Sequence, residues 1–545
     1  MSASKFASLF LALLLALSLP AGCRRNHTGG PFVIALGDNI RTIDPIGSPS
    51  VDAASERVRT LMFNSLVKKD EKFDYVGELA SEIKRAPDNV TFTFILRDGV
   101  KFHDGRPLTS ADAKYTLDLV FSSTFAKSAS FYETLPVSNN PRVSQTPAGT
   151  PQTTRTSFIK SVEAPDPHTL VVTTVKPWTG LLPNLVPVAI IPKDSYDTQK
   201  DHPLGTGPFK FVSYDSSQQV VDLAANPDYW DGAPHIPNVR VRVISDTNAL
   251  QAELRSARVD IAPLPTSLLP DAVNLLGQDQ KLQVQQFAGS NLNLLTLNCS
   301  QPPLNDVRVR QAIAYAIDRE GLIRDLLLGQ AKIAHSILPE ESWAYHASPR
   351  YSFDPAMAKK LLDEAGLKDP DGDGPQMRFA KPVVFKVSGS SVAAKNYAGV
   401  IQNYLKNVGV PVTIETAELN TLFDELRRGN FQIFYGQWVG GNQDPIFYKD
   451  LFATSEIPTE TRASRNRSRY SNKELDALIE EAINTFDREK AKSLYAKIDE
   501  IVTHDVPVVP LWYQANIVIA QKKVGNIKVN ASGDWGFVKD VTVEK

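Results

Sequence analysis

The chain predicts a mixed α/β protein organised in two or three lobes. Three observations carry that expectation. Strand-like and helix-like hydrophobic periods interleave along the sequence instead of occupying separate blocks. No internal repeat is present. At 545 residues the chain exceeds what one hydrophobic core organises, since single cores stop growing near about 250–300 residues.

Residues 1–22 begin weakly basic at Lys5 and continue as an apolar run from Phe6 to Leu19. That run is shorter than the ~20 residues a bilayer span needs and reads as the core of a signal peptide. It ends in Leu19-Pro20-Ala21-Gly22-Cys23, small residues before a cysteine, which predicts cleavage and lipidation of Cys23. Pro20 stands where a leucine is usual, and Leu19 lies one residue further back. Residues 23–30 then read as a lipidated, flexible tether. Together these features predict a protein outside the cytoplasm, held to a membrane by lipid and otherwise soluble.

Val90, Phe92, Phe94 and Leu96 alternate with smaller or polar residues and predict a strand. Thr109-Ser-Ala-Asp112 is a capping-box pattern opening a helix. Residues 135–157 are rich in Pro, Ser, Thr, Asn and Gln, which predicts a long mobile surface loop. Leu170, Val172 and Thr174 suggest another strand, and Val239, Val241 and Val243 one with a polar arginine face. From Asp306 an apolar stripe runs through Val309, Ala312, Ile313, Ala316, Ile317, Ile323, Leu326 and Leu327, reading as one helix closed by Gly329. Asp354-Pro355 caps and starts a helix that Gly366 stops. Ser471 with Glu474 marks a further helix start.

With Cys23 lipidated, Cys299 is the one remaining cysteine and no disulfide is available. It follows the apolar run Leu292–Leu297 and is expected as a buried, inert thiol. The formal net charge of −2 leaves no basic footprint for nucleic acid. The locally basic run Arg462-Ala-Ser-Arg465-Asn-Arg467-Ser-Arg469 reads first as a solvated loop, with contact to an anionic ligand or partner as the alternative.

The string Phe94-Ile-Leu-Arg97-Asp98-Gly99-Val-Lys-Phe102-His103-Asp104-Gly105-Arg-Pro-Leu-Thr109 reads physically as a strand, two Asp-Gly turns and a capped helix. It resembles the hallmark segment of the peptide- and nickel-type extracellular solute-binding proteins of bacterial ABC importers. Ile43-Asp44-Pro45, Phe63-Asn64-Ser65-Leu66, Gly205-Thr-Gly-Pro-Phe209, Asn226-Pro-Asp-Tyr-Trp230-Asp-Gly232 and Val309-Arg-Gln-Ala312 through Asp318-Arg319 resemble further motifs of that family, in the same order. The resemblance spans about residues 32–520.

It implies a two-lobed periplasmic-binding-protein fold of type II with an additional inserted domain, the cluster C type. The expected division is lobe I at 31–60, 204–287 and 512–545, the inserted domain at 61–203 and lobe II at 288–511. It also implies a ligand captured between the lobes and delivered to an ABC permease. The protein is expected as a monomer, at the periplasmic or extracellular face, with no cofactor.

The segment Tyr435-Gly-Gln-Trp438-Val-Gly440-Gly441-Asn442-Gln-Asp444-Pro445 resembles the loop that lines the family's cleft. The resemblance makes Trp438 a packing platform for ligand, with Gly440, Gly441 and Asn442 beside it. Family peptide binders anchor the ligand α-amine with an aspartate three residues after the tryptophan; here that residue is Gly441. A carboxylate suits an ammonium because a charge-assisted bond is strong in a dehydrated cleft. Either the ligand has no amine there or another carboxylate serves, and Asp444 is the nearest.

Asp369-Pro-Asp371-Gly-Asp373-Gly374 resembles the start of a calcium loop, but its twelfth position is Ala380, where a glutamate is required. No nucleophile elbow, zinc motif or cysteine pair appears, and the eight histidines are dispersed, so no enzyme and no metal site are expected. The leading expectation is a receptor for an oligopeptide or similar polar solute. The alternatives are a receptor for an oligosaccharide or metal chelate, and a periplasmic chaperone or sensor on the same fold.

Overall fold

Val239 and Val241 are buried, while Arg240 reaches across its strand to Asp222 at 2.7 Å. This strand, Asn238–Val243, lies inside an eleven-stranded sheet that runs through both lobes. The computed structural model describes residues 30–48, 52–136, 153–348, 351–372, 374, 376–440, 443–459 and 464–544. Cys23 and the leader lie outside the described residues. No helix among those described is long and apolar enough to cross a membrane.

The sheet order is Phe209–Asp215, Val220–Ala225, Asn238–Val243, Phe32–Leu36, Ile261–Pro263, Val508–Gln521, Leu282–Leu297, Ile433–Trp438, Val383–Ser388 and Val412–Ala417, with Ala331–Ile333 added beside Val508–Gln521. Two strands are much longer than the rest. Leu282–Leu297 and Val508–Gln521 pair antiparallel from Leu282↔Gln521 to Thr296↔Val508. Their outer halves belong to different lobes, so this pair is the beam between them. Val284, with Ile517 and Ile519, packs in the cluster holding Leu250, Leu254 and Val273. At the other end Leu295 and Leu297, with Val509 and Leu511, pack among Val383, Phe385, Ala398 and Ile401.

The ladder between these strands breaks twice, between Phe287 and Asn291 and between Asn293 and Leu294. At the first break Gly289 passes so close to Gln514 that an added Cβ would sit 1.9 Å from its carbonyl oxygen, so only glycine fits. The freed backbone groups find other partners. Asn516 donates through Nδ2 to the carbonyls of Ala288 (3.0 Å) and Asn530 (2.9 Å), and Ser290 donates to Ala531. A broken ladder held by side chains is a place where two halves of a sheet can change angle.

The chain between Met62 and Gly207 builds a four-stranded antiparallel sheet: Ala80–Arg85, Thr91–Leu96, Thr169–Thr174 and Ile159–Asp166. Its Phe92, Phe94, Leu170 and Val172 share one buried cluster with Ile34 and Val239 of the large sheet and with Trp535 near the C-terminus. The motifs meet at this junction. Asn64 donates to Glu78 (2.7 Å) and Tyr229, and its Oδ1 accepts from Thr206 and from the indole of Trp230, both at 3.1 Å. His103 donates its backbone N–H to the Gly205 carbonyl at 2.9 Å, and its ring Nε2 lies 3.1 Å from the Gly207 carbonyl. Gly207 donates to the Met62 carbonyl at 2.9 Å. A Cβ at Gly207 would come within 2.3 Å of Met62 backbone, so the glycine serves close chain packing.

Several local expectations change. The stripe from Asp306 forms two helices, Val307–Ala316 and Arg319–Asp325. Ile317 turns extended, and the Asp318 carboxylate accepts from Gly321 N–H at 2.8 Å, starting the second helix afresh. The helix expected to start at Ser471 is capped by Asn472, which accepts from Glu474 N–H at 2.9 Å. The flanks of the expected 135–157 loop are a ladder, Tyr132–Pro136 against Thr153–Ser157, and residues 137–152 lie outside the described residues. The capping box expected at Thr109 does form: the Asp112 carboxylate accepts from the backbone N–H (2.8 Å) and also from the hydroxyl (2.7 Å) of Thr109. Cys299 is half-buried, and burial pushes its thiol up to about 11.

His103 sets a pH dependence. Burial pulls its imidazole down to about 4, whereas the unfolded chain titrates near about 6.5. The folded state therefore refuses a proton that the unfolded state accepts, so stability present above pH 6.5 is lost as pH falls towards 4. The loss reaches about 2 kcal/mol by pH 5. Urea midpoints at pH 7 and pH 5 check this: the drop is expected to shrink by that amount in His103→Gln.

Candidate ligand cleft

Trp438 ends the strand Ile433–Trp438 and pairs with Leu292 of the long strand, next to the break in the ladder. Residues 434, 436 and 438 point to one face of the sheet and 433, 435 and 437 to the other. Tyr435 takes the second face and sits 6.3 Å from the buried ring of Trp512. Trp438 takes the first and packs edge-on against Phe447, centroids 5.2 Å apart at 75°. Phe447 opens the helix Phe447–Phe452, which is pinned by its next residue: buried Tyr448 donates its hydroxyl to buried Asp499. Asp499 also accepts from Ser336 (2.7 Å) and Ser348 (2.5 Å). The indole is thus half-buried and fixed from below.

The loop after Trp438 turns at Gly440, whose φ of 73° is the left-handed region that favours glycine. Gly441 and Asn442 lie outside the described residues. The chain is described again at Gln443, which is buried. Its amide donates to Ser290 at the broken ladder (2.9 Å) and accepts from the Lys69 ammonium (2.9 Å). Lys69 belongs to the strand Val67–Lys69 on the other side of the cleft. Burial pulls its ammonium down, opposed by the charges of Asp444 and Asp534.

Asp444 accepts the phenolic proton of Tyr75, again from across the cleft, and the N–H of Ile446 at 2.7 Å. Burial lifts its carboxyl above the usual range, and these bonds with Lys69 work against that. The nearest alternative anchor for a ligand amine is therefore engaged within the protein. A second contact patch lies beyond it. Asp74 pairs with Arg488, Phe92 meets Phe486 with centroids 6.1 Å apart, and Thr179 donates to the Ile483 carbonyl. These contacts join the segment 69–179 to the segment 443–488.

Of the residues expected to hold ligand, Trp438, Gly440 and Asp444 lie on one stretch of chain beside the broken ladder, and Gly441 and Asn442 lie outside the described residues. Lys69, Tyr75 and Ser290 join them without any expectation from the sequence, and Gln443 does so from within the expected loop, where no role was assigned to it. Lys69 and Gln443 are 374 residues apart, and neither lies in a pattern with chemistry of its own. Among the described residues no group of three or more histidine, cysteine or acidic side chains is arranged to hold a metal ion.

Two lobes on a beam with a broken ladder, closing over an aromatic platform, define a hinge-closing solute-binding protein. The family profile described as "Bacterial extracellular solute-binding proteins, family 5 Middle" matches residues 74–459. The chain belongs to this family. It is 27% identical to the oligopeptide-binding protein AppA of Bacillus subtilis over 97% of this chain and 96% of that one. It is 28% identical to heme-binding protein A of Haemophilus influenzae, covering 88% and 86% of the two chains. Its fold matches NikA of Brucella suis, solved in complex with Fe(III)-EDTA, with a TM-score of 0.80 at 20% identity, covering 95% and 100%.

The Tyr75–Asp444 bond gives a test of the cross-cleft contact. Tyr75→Phe leaves a buried carboxylate short of one donor, a loss of about 1–3 kcal/mol. The expected outcome is a lower thermal midpoint and a larger radius of gyration by solution scattering. An unchanged radius would mean that this bond does not hold the lobes together.

Proposed function

We propose that this chain captures an oligopeptide or similar polar solute between its lobes and hands it to the permease of an ABC importer. It does so from the periplasmic or extracellular face, as a monomer tethered by lipid on Cys23. The observation that carries the reading is the pair of long strands with its interrupted ladder. A hinge of this kind lets ligand bridge two lobes and shift the population to the closed form, which a permease can recognise. The resemblance to an oligopeptide-binding protein along nearly the whole chain supports the peptide class. The division into lobe I (31–60, 204–287, 512–545), inserted domain (61–203) and lobe II (288–511) follows from the same reading. Trp438 with Gly440, Gly441 and Asn442 then forms the lobe II wall, and Asp444 shapes its loop. The family consists of binding proteins for transport, and catalysis has no part in this reading.

A second reading has an observation of its own. Gly441 offers no carboxylate, and Asp444 is already bonded to Tyr75, so a ligand amine finds no ready anchor here. A non-peptide solute, such as an oligosaccharide or a metal chelate, avoids that cost. The heme-binding relative shows the breadth of ligands among similar chains.

Native purification followed by denaturation and mass spectrometry of the released molecules separates the two. Mixed short peptides are expected. A single non-peptide solute would replace the substrate class and keep the receptor. A second outcome concerns the platform: Trp438→Ala is expected to weaken ligand binding about tenfold or more, measured by calorimetry, through loss of stacking area.

A further inference from the structure

The three arginines at 465, 467 and 469 meet different fates. Arg465 forms an ion pair with Asp450. Arg469 donates to the Arg427 carbonyl at 2.6 Å. The guanidinium of Arg467 makes neither kind of contact among the described residues. It lies instead between three rings, 4.9 Å from Phe423, 5.4 Å from Trp438 and 5.9 Å from Phe434. Burial pulls its basicity down to about 10, and the one charge acting on it is the like charge of Arg465. It remains a cation at neutral pH, half-buried and without a counter-charge among the described residues.

That arrangement is costly for the free protein. Cation–π contacts recover ~0.5–2 kcal/mol each at best, and a desolvated charge without an anion forgoes more than that. The residues on either side of it are nonetheless tied down by hydrogen bonds. Buried Asn466 donates to the carbonyls of Ala453 (3.0 Å) and Tyr470 (2.9 Å), and the Ser468 carbonyl accepts from Cys299 N–H at 2.8 Å. A small pocket of about 10 Å³ lies here among Thr296, Trp438, Leu451, Arg467 and Ser468. The rings flank the guanidinium, and no protein acceptor among the described residues takes its N–H groups.

We propose that Arg467, framed by Trp438, Phe423 and Phe434, is a subsite for a carboxylate group of the bound solute. The inference rests on the solute-capture reading above and deepens it. A planar carboxylate matches the guanidinium fork with two parallel hydrogen bonds, and the aromatic frame holds that fork in one orientation. Trp438 then serves two purposes at once, stacking on the apolar part of the ligand and fixing the group that reads its acid. A carboxylate is common to oligopeptides and to heme, so the subsite does not depend on which solute class is correct.

The test uses the full chain in detergent, stripped of bound solute by denaturation and refolding, as wild type, Arg467→Met and Arg467→Lys. Met keeps the apolar packing between the rings, and a circular-dichroism melt confirms folding of each variant. Calorimetric titration compares trialanine with its C-terminal amide. Wild type is expected to prefer the acid by about tenfold or more. The preference should vanish in Arg467→Met and survive in part in Arg467→Lys. No acid preference in wild type, or a full preference in Arg467→Met, overturns the subsite. If wild type binds neither peptide, the peptide reading fails, and succinate and inorganic phosphate followed by tryptophan fluorescence decide the subsite. A saturable succinate response lost in Arg467→Met upholds it. A response to phosphate alone, or to neither, overturns it.

Discussion

The pairing of Leu282–Leu297 with Val508–Gln521 is the constraint on which the remaining architecture hangs. Each strand begins in one hydrophobic cluster and ends in another, so the same backbone ladder is a structural member of both lobes. A continuous ladder would make the two lobes one stiff sheet. The two register breaks prevent that, and they stand beside the residues that close the cleft. Ser290, at the first break, is bonded to Gln443 of the ligand loop. Leu292, just beyond it, is paired with Trp438. Any change in the angle of the beam is thereby passed directly to the platform.

The cleft itself is built on polar contacts between distant segments. Lys69 and Tyr75 come from one side, Gln443 and Asp444 from the other, and each is largely withdrawn from water. Buried polar groups of this kind contribute little net stability and a great deal of geometric selectivity, because a mismatch leaves a charge without a partner. They favour one closing geometry over many. Arg467 follows the opposite rule: it is withdrawn from water and has no such partner among the described residues.

Much of the fold was legible because its signals are local. The alternation at Asn238–Val243 and Thr91–Leu96 and the Asp354-Pro355 helix start are set by neighbours within a few residues. The family motifs were legible as strings, but their reason was not. Asn64, His103, Gly205, Gly207 and Trp230 lie far apart in sequence and meet in one hydrogen-bonded junction, which no spacing along the chain announces. Asp318 was hidden for a different reason. The apolar stripe continues through it in phase, and only its carboxylate bonding to Gly321 shows that one helix has ended and another begun. Within the site, Trp438 was reachable by resemblance. Lys69 and Tyr75 were not, since an ordinary lysine and tyrosine on short strands acquire meaning only when the other lobe arrives.

The order of the strands also dictates a timetable. Phe32–Leu36 is made first, yet the strand Ile261–Pro263 beside it is completed on its other edge by residues 518–520. Lobe II waits for the same strand, whose residues 508–514 line its inner edge. At ~5–20 residues per second, synthesis delivers that strand roughly half a minute or more after the first. Until then Ile261–Pro263 and Leu282–Leu297, once made, each lack the partner on that edge, an opening of the kind that invites wrong partners. The nascent chain must therefore be kept from premature association until nearly its last residue has been made. A truncation that removes Val508 onward would not trim an edge strand; it would split the large sheet between Ile261–Pro263 and Leu282–Leu297.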